Sequence, residues 1–402
     1  MSTNVAELKK KVCAEVDRLA PELYDIAKRM YENPELGHQE RKSSAMLSDL
    51  AEKSGMKVSR KVAGMETSFT ASVEGGKGAG PHVGILAEYD ALPDIGHGCG
   101  HNIIGTASTG AALALKAVLP ELAGKVTLFG TPAEEGVVDN AGGKVLMANA
   151  GLFNDVDAAM CVHPSGQTML GTSSTARYAF EVSFKGKPAH AAGAPHEGIN
   201  ALDALLLMYS GINALRQHVK EDVRIHGVIT KGGVAPNIVP EFTQGRFYCR
   251  ANDREYLKEV VAKVENCARA GALATGATVS FRQTALTYEN MLNNDTLGET
   301  YKANIESIGV KVMPAPKKSG GGSTDMGNVS HVCPSIHPYI GICGPGIAGH
   351  SREFANATMT EAGRAGMVSA AKAMAMTAVD FLTDASLREA VQKEWKAAHP
   401  GR

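Results

Sequence analysis

Side chains of the metal-ligand type follow four predicted strands, each a short distance beyond the C-terminal end of its strand. They are Cys99 and His101 after the apolar run 83–89, Glu135 after 125–130, His163 after 157–162, and His350 after 336–343. Because the carboxyl ends of the strands in an open α/β sheet line one crevice, we expect these side chains to converge there. Thiolate, imidazole and carboxylate groups together suit Zn²⁺ or a similar divalent ion.

These five candidate ligands are more than the four that one structural zinc ion needs. They fit two ions about 3.5–4 Å apart that share one ligand. They also fit one ion with a weakly occupied second position beside it. The residues alone leave both arrangements open.

The adjacent carboxylates Glu134 and Glu135 predict two different roles, a metal ligand and a proton acceptor. One carboxylate binds the metal, and its neighbour, Glu134, is held off the metal and takes a proton from the metal-activated water. Because a metal ion can lower the pKa of its bound water to about 7, a carboxylate then suffices as the general base. The pattern predicts a metal-dependent hydrolase.

Each of these residues has an ordinary explanation when it is taken alone. Cys99 is of a type that is often a small buried apolar residue, and two adjacent glutamates are often a solvated turn. Two other functions therefore stay open. One is a hydrolase that uses Cys99 as a nucleophile with His97 or His101, and the other is a non-catalytic binding or regulatory protein. Convergence at four strand ends favours the metal site over both.

The elements that must position these residues alternate between strands and helices. The first ~55 residues have helical spacing, and later short apolar runs alternate with helical segments such as 105–118. This alternation predicts an α/β domain with a mostly parallel sheet and helices on both of its faces.

A different order of elements occupies residues 176–286. It reads strand–helix–strand–strand–helix–strand, the ferredoxin-like α+β arrangement. We predict that this segment is a second domain inserted into the first. The α/β domain then consists of residues 1–175 and 287–402.

Composition narrows the class of protein. The formal net charge is −1 and no run of lysine or arginine is present, which argues against nucleic acid or an anionic membrane as partners. No signal-peptide pattern and no uninterrupted apolar stretch of about 18 residues is evident. The seven cysteines are scattered and read as reduced thiols. We expect a cytoplasmic protein.

Seven motifs resemble those of one known metallopeptidase family, peptidase family M20, which contains aminoacylase, glutamate carboxypeptidase and the plant auxin-conjugate amidohydrolases. They are NPELGHQE (33–40), LAEYDALP (86–93), GHGCGHN (96–102), TPAEEG (131–136), GKPAHAA (186–192), GGVAPNIVP (232–240) and GSTDMGNVS (322–330). They occur in family order over nearly the whole chain. The likeness is greatest to the branch that holds dipeptidases and aminobenzoyl-glutamate hydrolases.

The resemblance implies roles for individual residues. Cys99 matches the bridging ligand, and the other four candidate ligands match terminal ligands, with Glu134 at the position of the general base. His190 matches a histidine that reaches the scissile carbonyl, often from the partner subunit. Asn237 and Arg250 match positions that bind the carboxylate end of the substrate. The resemblance does not say whether His190 acts within its own subunit or across a dimer.

The resemblance also implies an activity. It is the hydrolysis of an amide bond in a small dipeptide, including one with a basic C-terminal residue, or in an N-acyl amino acid. An aroyl-amino acid or an aryl amine is the alternative substrate. The implied cofactor is one or two divalent ions per subunit, manganese or zinc, with cobalt also possible. The inserted domain would act as a lid and as the contact of a homodimer.

Overall fold

The computed structural model describes residues 4–315 and 322–399, which divide into two compact units. The first unit contains residues 4–173, 291–315 and 325–399. The second contains residues 174–290 together with 322–324. The described part of the chain thus passes from the first unit to the second and back more than once.

The strands of the described residues are numbered in chain order. Those of the first unit are β1 (Lys57–Arg60), β2 (Phe69–Glu74), β3 (His82–Ala87), β4 (Lys125–Gly130), β5 (Ala158–Met160), β6 (His163–Ser165), β11 (Ser335–Ile336) and β12 (Tyr339–Gly341). Those of the second unit are β7 (Ala176–Lys185), β8 (Arg224–Lys231), β9 (Phe242–Ala251) and β10 (Thr278–Tyr288).

The α-helices of the described residues are numbered in the same way. The first unit contains α1 (Val5–Glu32), α2 (Arg41–Lys53), α3 (His101–Val118), α4 (Gly143–Asn149), α7 (Asp295–Ser307), α8 (Met326–Ser330), α9 (Arg352–Ala357), α10 (Glu361–Thr383) and α11 (Ala385–Ala397). The second unit contains α5 (Ala201–Leu215) and α6 (Arg254–Thr275).

The main sheet of the first unit has the strand order β1-β2-β4-β3-β5-β11. Strands β4, β3, β5 and β11 run parallel, whereas β2 is antiparallel to β4 and to β1. The predicted α/β class with a mainly parallel sheet is confirmed. The antiparallel edge was not predicted, because β1 is a short and largely exposed segment without a clear apolar pattern.

Both faces of the main sheet are covered. On β3, Val83, Ile85 and Ala87 belong to a large apolar cluster that includes residues of α1, α3 and α10, whereas Leu86 belongs to a second cluster with Met147 of α4. All six residues of β3 are buried. Burial on both faces explains why this strand reads as a continuous apolar run in the sequence.

Helix α3 begins at His101, four residues before the predicted helical segment. It lies so close to the end of β3 that a Cβ atom at Gly105 would meet the backbone oxygen of Glu88 at 2.8 Å. A side chain at Gly110 would likewise meet Leu23 of α1 at 2.6 Å. These two glycines let α3 pack tightly, and that packing places His101 beside the loop that follows β3.

Two helices are long and apolar enough to cross a membrane, judged by length and composition alone. They are the helical segments His101–Glu121 and Glu361–Thr383. Their most apolar windows are 83% and 72% buried inside the structure. Core helices of globular proteins pass the same test, and these two helices are packed in that way.

The second unit is a four-stranded antiparallel sheet with the order β10-β7-β9-β8. Helices α5 and α6 pack on one face of this sheet, where Phe180 and Phe247 meet Met208 and Val260 in a separate apolar core. The predicted order of strands and helices is confirmed.

Candidate metal centre and substrate-binding residues

Each predicted metal ligand lies in a loop or at the start of an element that follows a strand. Cys99 precedes α3 and His101 is its first residue, while His163 is the first residue of β6. Glu135 lies in the loop after β4, and His350 lies in the loop before α9. The topology therefore delivers all five side chains to one end of the first unit.

The thiol of Cys99 lies at the middle of this group. Its Sγ atom is 3.4 Å from His163 Nε2 and 3.3 Å from His350 Nε2. Two sets of side chains share it, Cys99 with His101 and His163, and Cys99 with Glu135 and His350. Within each set the ligand atoms lie within 4.8 Å of one another. One thiol common to two sets is compatible with two neighbouring ions that share a ligand, and His101, Glu134 and Glu135 form a third group of possible ligands.

Asp90 orients two of these ligands. One of its carboxylate oxygens lies 2.9 Å from His101 Nδ1, and the other accepts a hydrogen bond from the backbone N–H of Glu135 at 2.9 Å. Burial opposes the charge on Asp90, but the charge of His101 and these hydrogen bonds hold the pKa of Asp90 below its ordinary value. A carboxylate of this kind fixes the ring so that His101 Nε2 faces the centre.

Two candidate ligand atoms at the centre, His101 Nε2 and Glu135 Oε1, are buried and have no hydrogen-bond partner among the described residues. Such atoms are rare in folded proteins, since each costs free energy. Burial, with the charge of His337, lowers the pKa of His163 to about 3, so that its imidazole is in the neutral form that binds metals. The donor set and its unsatisfied atoms fit a divalent metal ion.

Glu134 lies beside this set. Its Oε2 is 3.9 Å from His101 Nε2. Burial, together with the negative charges of Glu88 and Glu135, raises the pKa of Glu134 well above its ordinary value. A raised pKa suits a carboxyl group that accepts and returns a proton near neutral pH.

A buried ion cluster behind the centre was not predicted from the sequence. Lys144 Nζ lies 2.7 Å from Glu88 Oε1 and 2.5 Å from Asp325 Oδ1, and all three side chains have no exposed surface. Glu88 Oε2 in turn lies 3.4 Å from His101 Nε2. The sequence feature that could have indicated this cluster is Lys144, the one charged residue in the segment that forms α4.

A cavity of about 430 Å³ lies next to Cys99, His163 and His350. Its remaining wall is largely apolar, with Met169, Tyr339, Ile347 and Phe354 among the lining residues. All of these residues belong to the first unit. The cavity has the composition expected for a pocket that holds an apolar group of a small ligand.

The predicted catalytic residue His190 and the predicted substrate-binding residues Asn237 and Arg250 lie in the second unit. His190 is exposed, and its Nδ1 accepts a hydrogen bond from the backbone N–H of Gly193 at 2.9 Å. The carbonyl of Asn237 accepts from the N–H of Ala191 at 3.0 Å, which joins the two loops. Arg250, on β9, donates from Nη1 to Ser323 Oγ at 2.7 Å. The structure thus brings the loops of His190 and Asn237 together.

Sequence comparisons identify the family and the known proteins to which this chain is similar. The sequence profile of Peptidase family M20/M25/M40 matches residues 84–375. The chain is 38% identical to a Xaa-Arg dipeptidase of Mus musculus, over 97% of this chain and 92% of the relative. It is 31% identical to one of the subunits of the p-aminobenzoyl-glutamate hydrolase of Escherichia coli, over 92% of this chain and 91% of the relative.

One solved structure has a fold similar to that of this chain. A dinuclear metal-binding peptidase from Bacillus subtilis matches with a TM-score of 0.66 and 21% sequence identity. The match covers 91% of this chain and 99% of that one. It extends over nearly the whole length of both proteins.

Proposed function

Because this chain belongs to Peptidase family M20/M25/M40 and is a hydrolase of amide or peptide bonds, we propose that it uses a divalent metal ion to cleave a small dipeptide or N-acyl amino acid. The observation that supports this proposal most directly is the buried carboxyl group of Glu134, which lies beside the two sets of candidate ligands that share Cys99. Glu134 also lies in a third group of possible ligands, with His101 and Glu135, so the experiment must distinguish a proton acceptor from a ligand.

Two divalent ions per subunit are our proposal for the cofactor, one in each of the two sets that share Cys99. The thiolate favours zinc on softness, and manganese and cobalt are the alternatives. A bound divalent ion would polarise the amide carbonyl and increase the acidity of water.

The protein's own groups then carry the proton. Glu134 takes a proton from the attacking water and returns it to the nitrogen of the leaving amine. The carbonyl oxygen becomes negatively charged during the attack, and the imidazole of His190 donates a hydrogen bond to it. Asn237 and Arg250 bind the carboxylate of the amino acid that is released, since a guanidinium matches a carboxylate with two donors.

The apolar cavity beside the ligands supports an acyl or aroyl group as the other half of the substrate. Tyr339 and Phe354 in its wall can pack against an aromatic ring. The names of the two relatives indicate C-terminal residues of opposite charge, arginine in the mouse dipeptidase and glutamate in the E. coli hydrolase. An N-aroyl amino acid is therefore retained as the second candidate substrate.

Assembly into a homodimer through the second unit is part of the proposal. Strand β8 is an edge strand of its sheet, and its residues Val228 and Ile229 are 62% and 40% exposed. On α5, Leu206 and Leu207 are each 46% exposed. An apolar edge strand of this kind favours pairing with another chain. All seven cysteines are free thiols, which supports the cytoplasm as the compartment.

The test compares wild-type protein with Glu134→Gln, each loaded with Zn²⁺, Mn²⁺ or Co²⁺, on a panel of dipeptides and N-acyl amino acids followed by mass spectrometry. Glu134→Gln should keep its metal content and lose about 10²- to 10⁴-fold in kcat. Glu353→Gln, an exposed glutamate of the same unit, is the matched control and should retain full activity.

Other outcomes separate the alternatives. Loss of metal from Glu134→Gln would make Glu134 a ligand, and retained turnover would place the base elsewhere. Activity that resists chelators but is abolished by alkylation would favour a Cys99 nucleophile. An absence of turnover by metal-loaded wild type on the whole panel would favour a non-catalytic protein.

A further inference from the structure

The motif at residues 33–40 contacts the loop that carries Glu134, although it contains no candidate metal ligand. Glu40, the last residue of the motif, is fully buried. Its Oε1 atom accepts a hydrogen bond from the backbone N–H of Ala133 at 2.8 Å, and its Oε2 atom accepts one from the hydroxyl of Thr67 at 2.7 Å. One buried carboxyl group is thus anchored at Thr67 and holds the residue that precedes Glu134.

Ala133 has a strained backbone conformation that its neighbours support. Its φ angle is +55°, in the left-handed region that is unfavourable for a residue with a Cβ atom. Its carbonyl accepts a hydrogen bond from the N–H of Gly142 at 2.7 Å, and its N–H is the group bonded to Glu40. A Cβ atom at Gly37 would come within 2.8 Å of the Cβ atom of Ala133. The motif therefore both makes room for Ala133 and restrains it.

Glu134 lies between two restrained backbone N–H groups. On its N-terminal side the N–H of Ala133 is bonded to Glu40, and on its C-terminal side the N–H of Glu135 is bonded to Asp90 at 2.9 Å. Hydrogen bonds of this kind, made by buried groups around a site, hold a functional side chain in a defined geometry. The direction in which the side chain of Glu134 leaves the backbone depends on both carboxyl groups.

The hydrogen bonds of Glu40 do not require one charge state. Burial and the negative charge of Asp90 raise the pKa of Glu40 to about 7, so both protonation states are present near neutral pH. In either state one oxygen can accept from the N–H of Ala133, and a protonated second oxygen can donate to the hydroxyl of Thr67. Glutamine offers the same acceptor together with a donor, so it can replace Glu40 without loss of these two contacts.

We propose that Glu40 is a positioning residue for the hydrolytic reaction, which holds Ala133 in its left-handed conformation and thereby fixes the direction of the Glu134 side chain. The inference rests on the proposed role of Glu134 as the proton acceptor. Neither hydrogen bond of the Glu40 carboxyl group goes to a candidate ligand. Its loss should therefore affect the proton transfer and leave the bound metal in place.

The experiment measures kcat, KM and metal content of the metal-loaded full chain on the best substrate of the panel. Glu40→Met removes both acceptor oxygens at nearly constant side-chain length and should lower kcat by about 100-fold, the cost of a misplacement of about 1 Å. KM should change little, because the lost interaction acts in the transition state. Glu40→Gln, which keeps both contacts, should retain most of the activity.

Glu35→Met is the matched control. The carboxylate of Glu35 belongs to the same motif but accepts hydrogen bonds from the backbone N–H groups of Lys42 and Ser43 at the start of α2. Glu35→Met should lower the urea midpoint and leave kcat unchanged. Full kcat in Glu40→Met, loss of its metal, an equal loss of kcat in Glu35→Met, or a loss in Glu40→Gln as large as that in Glu40→Met would each overturn the proposal.

Hydrogen–deuterium exchange, followed by mass spectrometry of peptides, provides a measurement that needs no substrate. In Glu40→Met the peptide that covers residues 131–136 should exchange at least about tenfold faster than in wild type, because a restraint on this loop is lost. In Glu40→Gln and Glu35→Met it should exchange as in wild type. Unchanged exchange in Glu40→Met overturns the proposal even if kcat falls.

The two measurements separate this inference from the proposed function. Faster exchange in Glu40→Met, together with no hydrolysis by wild type on the whole panel, would support the restraint on the loop and contradict the proposed function. If Glu40→Met does not fold, as judged by circular dichroism, Thr67→Val decides the outcome. That variant keeps the shape of the side chain and removes the hydroxyl that orients Glu40, so both effects should appear at a smaller size.

Discussion

Replacing Lys144 with methionine tests the buried ion cluster behind the candidate metal centre. The ammonium group is 2.7 Å from Glu88 and 2.5 Å from Asp325, and none of the three side chains is exposed. Removing one partner of a buried ion pair typically costs about 3–5 kcal/mol, because a charge is left without compensation. Since Lys144 serves two carboxylates, we expect Lys144→Met to lose about 4 kcal/mol in the free energy of unfolding.

The loss should depend on pH in a defined direction. In Lys144→Met the remaining carboxylates are buried without the ammonium group that compensates them, so their pKa values in the folded state rise above those of the unfolded chain. Such groups destabilise the fold more as pH rises through that interval. The deficit should therefore be largest near neutral pH and should shrink as the pH falls toward 5.

The single tryptophan provides the assay. Trp395 lies in the first unit, and its Nε1 donates to the Ser330 carbonyl at 2.8 Å, so its fluorescence in urea reports unfolding of the unit that contains Lys144. Lys28→Met, which removes an exposed helical pair with Glu32, is the control and should cost less than about 0.5 kcal/mol. Adding Asp325→Asn to Lys144→Met should recover part of the loss. A Lys144→Met protein within 1 kcal/mol of wild type would refute this reasoning.

Three further predictions concern the metal, the acid limit and the assembly. Cys99→Ala, which removes the shared thiol, should reduce the bound metal from the proposed two ions per subunit to one or none, measured by elemental mass spectrometry after gel filtration. Burial lowers the pKa of His82 below 6.5, so its contribution to stability is complete above that pH and is lost as the pH falls below it. His82→Gln should flatten this part of the urea-midpoint profile between pH 7.5 and 5.5. Val228→Asp should shift the proposed dimer toward monomer in analytical ultracentrifugation, and an unchanged sedimentation coefficient would contradict a dimer contact at β8.

The positions of the candidate metal ligands were predictable because the strands that precede most of them are buried on both faces. Strands β3 and β4 appear in the sequence as uninterrupted apolar runs, and the polar residues that follow each run mark where the strand ends. The ends of parallel strands meet by topology, so the clustering of Cys99, Glu135 and His163 needed no knowledge of side-chain contacts. Strand β5, only three residues long, was located for the same reason.

Contacts that depend on partners far apart in sequence were not predictable. Lys144 and Asp325 are 181 positions apart, and no periodicity links a lone lysine in an apolar helix to a particular carboxylate. Arg177 and Arg250 belong to different strands, and only their register shows that they are direct neighbours on one face. A shift of that register by one residue would place the two guanidiniums on opposite faces of the sheet.

Buried polar atoms without hydrogen-bond partners are unevenly distributed over the described residues. They belong to Glu88, His97, His101, Asn102, Glu135, Arg177 and Tyr301. The first five of these residues belong to the loops after β3 and β4 or to the start of α3. Positive φ angles also occur near the candidate ligands, at Ala133 (55°) and His350 (60°). Each such atom costs about 1–3 kcal/mol and strained residues add a similar amount. A chain selected for stability alone would not concentrate these costs around one set of thiol, imidazole and carboxyl groups. A divalent ion held by the candidate ligands would satisfy two of these atoms, His101 Nε2 and Glu135 Oε1.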